Sequence, residues 1–402
     1  MNELISFEEA RRIVLAAAPT SPTERVPLAE ALGRTLAEPV VSRDSIPPFD
    51  NAQMDGFAVR AADLRSAPTT LEVAGEVAAG QMPTVPVRPG TCVRIMTGAP
   101  VPAGADAVAP VEWTEAEGER VRFERAPAPG QYVRRAGEDL RPGAEAVAAG
   151  EVVTPPVVGI AATLGVPELT VRRVPRVAVV ATGDELIEAG EPLGPGQIRN
   201  ANGPALAAQA VAAGGHPLGP FVARDSEAGT QRVLVSALDA DVIVVSGGVS
   251  MGERDVVRRV LDTLGWEPAF WKVRQRPGKP LAFGVMGGRP VVGLPGNPVS
   301  SAVCFEQYVR PLLAQMLGRR AVLRPRRSAV LAEAVRKAPG LHHFVRVTFE
   351  HGADGRLRVR PTGAQGSHLY TSVLRADGLM HLPEPLEDPP AGTPVAVERL
   401  AW

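Results

Sequence analysis

Cysteine stands only at 92 and 304 in a chain of 402 residues. Two distant thiols without metal-ligand spacing exclude a disulfide framework and a structural zinc site, so reduced, buried side chains are expected. Lysine is almost as scarce, occurring only at 272, 279 and 337 among 43 basic residues. That bias reflects composition more than function, but it makes the neighbouring pair Lys272 and Lys279 conspicuous. No apolar run approaches the ~18 residues that would signal a membrane span. The formal net charge is −1, which removes the field that would draw in nucleic acid or a lipid surface. The opening MNELISFEEARR is acidic and lacks an apolar core, so no signal peptide is expected. The expectation is a cytoplasmic protein with no membrane or nucleic-acid partner.

Glycine and proline are abundant instead, 41 and 40 residues, dispersed along the chain as turn chemistry rather than gathered into a disordered tract. A hydrophobic fraction of 45% is ordinary for a globular protein. The length exceeds what one core usually supports, so several domains are expected. The central signal lies in DVIVVSGGVSMGERD, residues 241–255. A β-branched apolar run there reads as a strand buried on both faces of a parallel sheet. It ends in Ser246-Gly247-Gly248 and is followed by apolar residues at helical spacing up to Gly265. Residues 177–180, followed by Thr182-Gly183-Asp184-Glu185-Leu186, and 291–294, followed by Pro295-Gly296-Asn297-Pro298, repeat the design. Loops at the carboxyl ends of such strands form the ligand crevice of open α/β sheets, which makes 174–317 the expected seat of chemistry.

Elsewhere, Ser6 and Glu9 form a capping-box pattern for a helix over 7–18, and residues 26–36 read as a further helical turn or two. The loop SIPPFDNAQMDGFAVR carries Asp50 and Asp55, for which an Asx-turn is the simplest account. Short alternating runs from 70 to 135 predict a small β-domain, and Thr97-Gly98-Ala99-Pro100 is a tight turn after one of its strands. Helices are expected at 155–164, 203–213 and 226–238, the last with Asp225-Ser226 as its cap. Strands resume from Pro325 in a carboxyl-terminal β-domain, and its histidines read as ordinary polar or core residues.

Two chemistries compete for the central loops. Gly248-Val249-Ser250-Met251-Gly252 fits the G-x-S-x-G pattern of a serine hydrolase. An elbow serine sits directly on the turn after its strand, however, and here Ser246 to Val249 intervene. The stronger reading is an anion site. The Gly247-Gly248 and Pro295-Gly296 turns offer backbone N–H groups beside helix starts. Asp184, Glu185 and Asp255 could hold Mg²⁺ against a phosphate, and Lys272, Arg276 and Lys279 would neutralise the remaining charge. Those are the parts of an enzyme acting on a phosphorylated or nucleotide-bearing ligand.

Seven stretches occur together in order: PPFDNAQMDGFAVR, IMTGAPVP with GADAV, RRAGEDL, ATGDEL, SGGVSMGERD, RPGKPLAFG and GLPGNPVSS. In this the chain resembles the molybdopterin molybdenumtransferase family (MoeA type), which is similar to the carboxyl-terminal domain of gephyrin. The resemblance implies Mg-dependent insertion of molybdate into adenylylated molybdopterin with release of AMP. It implies a homodimer, with transient contacts to the adenylyltransferase and to apo-molybdoenzymes, and leaves a gephyrin-like scaffold as a non-catalytic alternative. The implied fold is multidomain α/β plus β. A discontinuous linker and dimerisation domain would comprise 1–42 and 140–172, and an inserted β-rich domain 43–139. A three-layer α/β domain with a mostly parallel sheet (MogA-like) would span 173–317, and a C-terminal β-barrel-like domain 318–402. Carried over by motif, Asp55, Thr97, Asp139 and Glu185 are implied to be catalytic, with Asp55 and Thr97 completing a site across the dimer. Asp225 and Asp255 match acidic positions of the nucleotide pocket, Lys272 and Lys279 basic positions near phosphate or molybdate, and Pro295 and Pro298 the prolines shaping that loop. Gly247, Gly248 and Ser250 fall within the substrate-binding stretch. Two positions depart from the family pattern: Arg276 stands where lysine is common, and Val256 where a tyrosine is.

Overall fold

The structure is a computed structural model that describes residues 4–248 and 256–400. It divides into two compact units. One comprises Met1–Glu38, Ala149–Pro155 and Glu168–Trp402, the other Pro39–Ala148 and Pro156–Pro167.

The first unit is built on a six-stranded sheet of β1 (Arg176–Thr182), β2 (His216–Ala223), β3 (Val242–Ser246), β4 (Trp266–Lys272), β5 (Pro280–Met286) and β6 (Arg289–Leu294), in the order β2-β1-β3-β6-β5-β4. The first four in that order run parallel, and β5 runs against β6 and β4. Val177, Val179, Val242 and Val244 belong to one core, and Ala178, Val180, Ile243 and Val245 to another on the opposite face. Two buried faces explain why β1 and β3 are continuously apolar rather than alternating.

Helices cover both faces. Asn202–Ala212 contributes Leu206 and Ala210 to the first core, and Glu227–Ser236 places Leu234 in the second. Val256–Thr263 adds Val257, Val260 and Leu261 to that second core. On the first face a long helical run extends through Pro298–Cys304, a π-turn at Phe305–Val309, and Arg310–Met316. The amino-terminal helix Phe7–Ala16 buries Phe7, Ala10 and Val14 in the same core. Ser6 Oγ accepts the N–H of Glu9 at 3.2 Å, one half of the capping box, while the Glu9 carboxylate accepts from Arg12 instead.

Strands Arg326–Leu331, His342–His351, Leu357–Pro361, Gly378–Leu382 and Pro394–Arg399 close into a five-stranded barrel, because the second pairs with the third and also with the fourth. In the other unit, the strands between Gly56–Val59 and Arg120–Phe123 form a mostly antiparallel six-stranded sheet with an apolar cluster on each face. These are the multidomain α/β and β elements expected. One sequence-based expectation is met only in part. Residues 26–36 hold no α-helix: Thr23–Pro27 is a strand paired with Glu168–Arg172, followed by a single 3₁₀ turn at Leu28–Glu30. The apolar residues along this segment are drawn into tertiary strand pairing, Val26 opposite Leu169 and Leu36 opposite Val171.

Candidate functional site

β1 and β3 are adjacent, while the chain leaves β1 for β2 on one side and later returns to β3 on the other. This is a topological switch point, where open α/β sheets bind ligands outside the strand ends. A cleft of about 920 Å³ lies there. Its wall takes Thr182, Gly183 and Glu185 from the end of β1, Ser246, Gly247 and Gly248 from β3, and Pro295, Gly296, Asn297 and Pro298 from β6. The three turns singled out from the sequence therefore meet in one cavity.

The turns interlock by steric necessity. Gly247 and Gly248 have φ of 89° and 61°, and a Cβ on either would stand 2.8 or 2.9 Å from Thr182 Oγ1. A Cβ on Gly248 would also reach within 2.5 Å of Val257 Cγ2. Left-handed backbone and absent side chains let this turn lie flat on the end of β1. A Cβ on Gly296 would lie 3.8 Å from Gly247 Cα, so the β3 and β6 turns are close neighbours. Gly183, with φ of 147°, leaves room for the Glu185 carboxylate, which a Cβ there would approach to 2.5 Å.

Two helices begin in the cleft wall, at Asn202 and at Pro298. Their amino ends carry the partial positive charge of the helix dipole, which favours an anion, although the Gly203 N–H is capped by Asn200 and the Val299 N–H is bonded to Ser367 O. Arg199 and Arg259 add cationic groups to the wall, Arg259 while also donating to Glu227 at 2.8 Å. Glu185 and Asp225 bring carboxylates. Asp184 is engaged by the loop instead: its Oδ1 accepts the N–H of Asp225 at 3.1 Å. Lys272 and Lys279 lie on the hairpin beside the cleft, where Lys272 faces Pro280 in register and Lys279 O accepts the N–H of Val273. Arg276 pairs alongside His343 at the edge of the barrel strand. Ser250 and Asp255 lie outside the described residues, and with them the hydrolase pattern and one expected metal ligand.

Among the described residues no group of three His, Cys, Asp or Glu side chains gathers closely enough to hold a metal ion by itself. Mg²⁺ is commonly held by one or two carboxylates together with phosphate oxygens and water, and the Glu185 and Asp225 carboxylates in the cleft fit that pattern.

In the other unit, Asp55 Oδ1 accepts both the N–H and the hydroxyl of Thr97, at 2.6 and 2.7 Å. Those two bonds hold the Asp55 carboxyl below its ordinary pKa, so it is ionised at neutral pH. Asp50 is fixed separately by the Ala136 N–H at 2.8 Å and by Arg135 at 2.6 Å. Asp139 is exposed nearby in sequence, with its backbone N–H bonded to Ile46 O. Sequence reading named Thr182 only as part of its turn and missed the roles of Asn202 and Ser301. Asn202 donates to Ser246 Oγ and Gly296 O, and Ser301 and Ser246 form a buried hydroxyl pair beneath the cleft. The Asn200-Ala201-Asn202 pattern was its trace in the sequence, but small polar residues ahead of a helix read first as caps.

The fold and cleft define a class: a ligand-binding α/β domain of switch-point type joined to β-rich domains. Residues 5–165 match the MoeA N-terminal region (domain I and II), 178–315 a probable molybdopterin binding domain, and 328–400 the MoeA C-terminal region (domain IV). Molybdopterin molybdenumtransferase 2 of Mycobacterium tuberculosis is 39% identical over 402 residues, covering 98% of both chains. Molybdopterin molybdenumtransferase of Haemophilus influenzae is 36% identical over 399 residues, again covering 98% of both. The crystal structure of molybdopterin biosynthesis MoeA protein from Pyrococcus horikosii aligns with a TM-score of 0.84 at 32% identity and covers all of each chain. This chain belongs to the molybdopterin molybdenumtransferase (MoeA) family of transferases.

Proposed function

We propose that this chain inserts molybdate into adenylylated molybdopterin, in a Mg²⁺-dependent reaction that releases AMP. The observation that carries the reading is the meeting of three strand-end turns in one cleft, two of them glycine turns and the third bearing Glu185. Gly248, Gly296 and Asn297, with the helix starts behind them, would bind the phosphoanhydride through backbone N–H groups. The Gly247 N–H is spent on Leu294 O and holds the turn, and Pro295 and Pro298 shape the loop. Glu185 and Asp225 would hold Mg²⁺, with Asp184 and Asp255 as the neighbouring acidic positions. Bound there, the ion would neutralise charge on the phosphates as the anhydride bond breaks. Lys272, Arg276 and Lys279 would offer the oxyanion substrate, molybdate, its cationic approach. We assign Asp55, Thr97 and Asp139 as further residues required for turnover, in a homodimeric enzyme.

Family membership favours this reading over a serine hydrolase at Ser250 or a scaffold without activity. Purified protein given adenylylated molybdopterin, molybdate and Mg²⁺ is expected to release AMP, and to stop when molybdate or Mg²⁺ is withheld. Glu185→Ala should lower the rate on the order of 100-fold, the scale of losing one electrostatic contact to the reacting group. No AMP from the unaltered protein would overturn the proposal.

A further inference from the structure

Asn202 is the first residue of its helix, yet it does not cap it. Asn200 does: its side-chain oxygen accepts the Gly203 N–H at 2.9 Å. The Asn202 amide instead spans two turns that are far apart in sequence. Its Nδ2 donates to Ser246 Oγ at 2.9 Å and to the backbone oxygen of Gly296 at 2.8 Å. Ser246 Oγ in turn reaches Pro295 O at 3.3 Å, and the Ser301 hydroxyl also donates to that oxygen. One NH₂ group thus closes a small polar ring between the ends of β3 and β6.

We infer that Asn202 is a positioning residue, whose amide fixes the spacing of the Gly247-Gly248 and Pro295-Gly296 turns so that both face one anion. This rests on the anion-binding reading of the cleft given above. The chemistry selects asparagine. Two hydrogens on one nitrogen serve two acceptors at once, whereas a hydroxyl has one hydrogen and a carboxylate has none. Lysine or arginine would supply hydrogens but bring a charge that competes for the ligand. Thr182 cannot take over the task. Its hydroxyl lies under the same glycines but is buried without a hydrogen-bond partner among the described residues, so it supports the turn by contact alone.

The test measures AMP binding by calorimetry, AMP release and thermal stability for the unaltered protein, Asn202→Asp and Asn202→Ala. Ser6→Ala, which loses the cap of the amino-terminal helix, is the control for stability loss without a change in the cleft. Losing two net hydrogen bonds from the frame should weaken AMP binding about tenfold or more in both Asn202 variants, with a matching fall in turnover. Ser6→Ala should melt earlier and bind AMP as before. Equal AMP affinity and turnover in Asn202→Asp, Asn202→Ala and unaltered protein would overturn the inference. So would Asn202 variants that only melt earlier while their folded fraction binds normally, because that is a structural role. If the unaltered protein binds neither AMP nor inorganic pyrophosphate, the functional reading fails first, and the positioning role with it.

Discussion

At Gly248 a single hydrogen atom decides whether the cleft has a floor. The backbone there is left-handed, and a methyl group would press into Val257 Cγ2 at 2.5 Å. Val257 is buried and β-branched, so it has little freedom to turn aside. Gly248→Ala should therefore destabilise the protein by about 1–2 kcal/mol from backbone conformation alone. It should also displace the turn, so that ligand affinity falls further than stability does. Urea denaturation alongside AMP calorimetry checks this, and an alanine variant matching the unaltered protein in both would refute the steric account. The two cysteines act at the same scale in the opposite sense. Both are free and buried, and burial pushes each thiol up to about 12, which makes them inert packing residues.

The element that frames the cleft from behind is the helical run beginning at Pro298. Its first residue suits a helix start, since proline needs no N–H partner there. Midway, the π-turn at Phe305–Val309 carries Glu306, which is almost fully buried and paired with Arg310 at 2.8 Å and with Arg324. A buried carboxylate between two guanidinium groups is costly to break from one side, because its partners stay behind without a countercharge. Glu306→Ala is expected to cost about 3 kcal/mol or more. Equilibrium denaturation would measure it, and a loss below ~1 kcal/mol would mean that the arginines find solvent instead.

At the scale of the molecule, the amino-terminal helix, this long helix and the barrel meet around buried histidines. Phe7 lies 4.7 Å from His342 and 4.9 Å from Phe344, ring centre to ring centre. His342 Nε2 and His381 Nδ1 are 3.1 Å apart, and His381 Nε2 lies 3.0 Å from Glu398 Oε1. Burial, then the neighbouring His381, holds His342 down to about 3, and burial lowers His381 as well. Burial alone would raise Glu398, but contacts from His381, Gln307 and Arg326 bring it to about 2. All three groups are depressed, so the unfolded chain takes up protons first as the pH falls. Stability from the histidines is complete above about pH 6.5 and is lost as the pH falls toward about 3, and Glu398 adds a further loss below about pH 4.5. Each fully buried histidine contributes a slope of at most ~1.4 kcal/mol per pH unit. Urea midpoints should therefore drop from pH 7 to pH 5, and less so in His342→Gln. A midpoint unchanged over that interval would refute the account.

Much of this was legible in one dimension. The runs at 177–180, 242–245 and 291–294 are continuously apolar because both faces of the sheet are covered, and the turns after them announced themselves by their glycines. Turn chemistry and strand burial are local properties, so the sequence by itself determined the strands, the glycine turns and the Ser6 cap. The helical turns expected at 26–36 shrink to one 3₁₀ turn because the segment's fate rested on a strand that is more than a hundred residues away. The bridging role of Asn202 was illegible for the same reason, since its two acceptors come from turns that only the assembled sheet makes neighbours. The tertiary structure alone decided which polar groups share one cavity, because hydrogen bonds between distant loops leave no periodic mark on the chain that makes them.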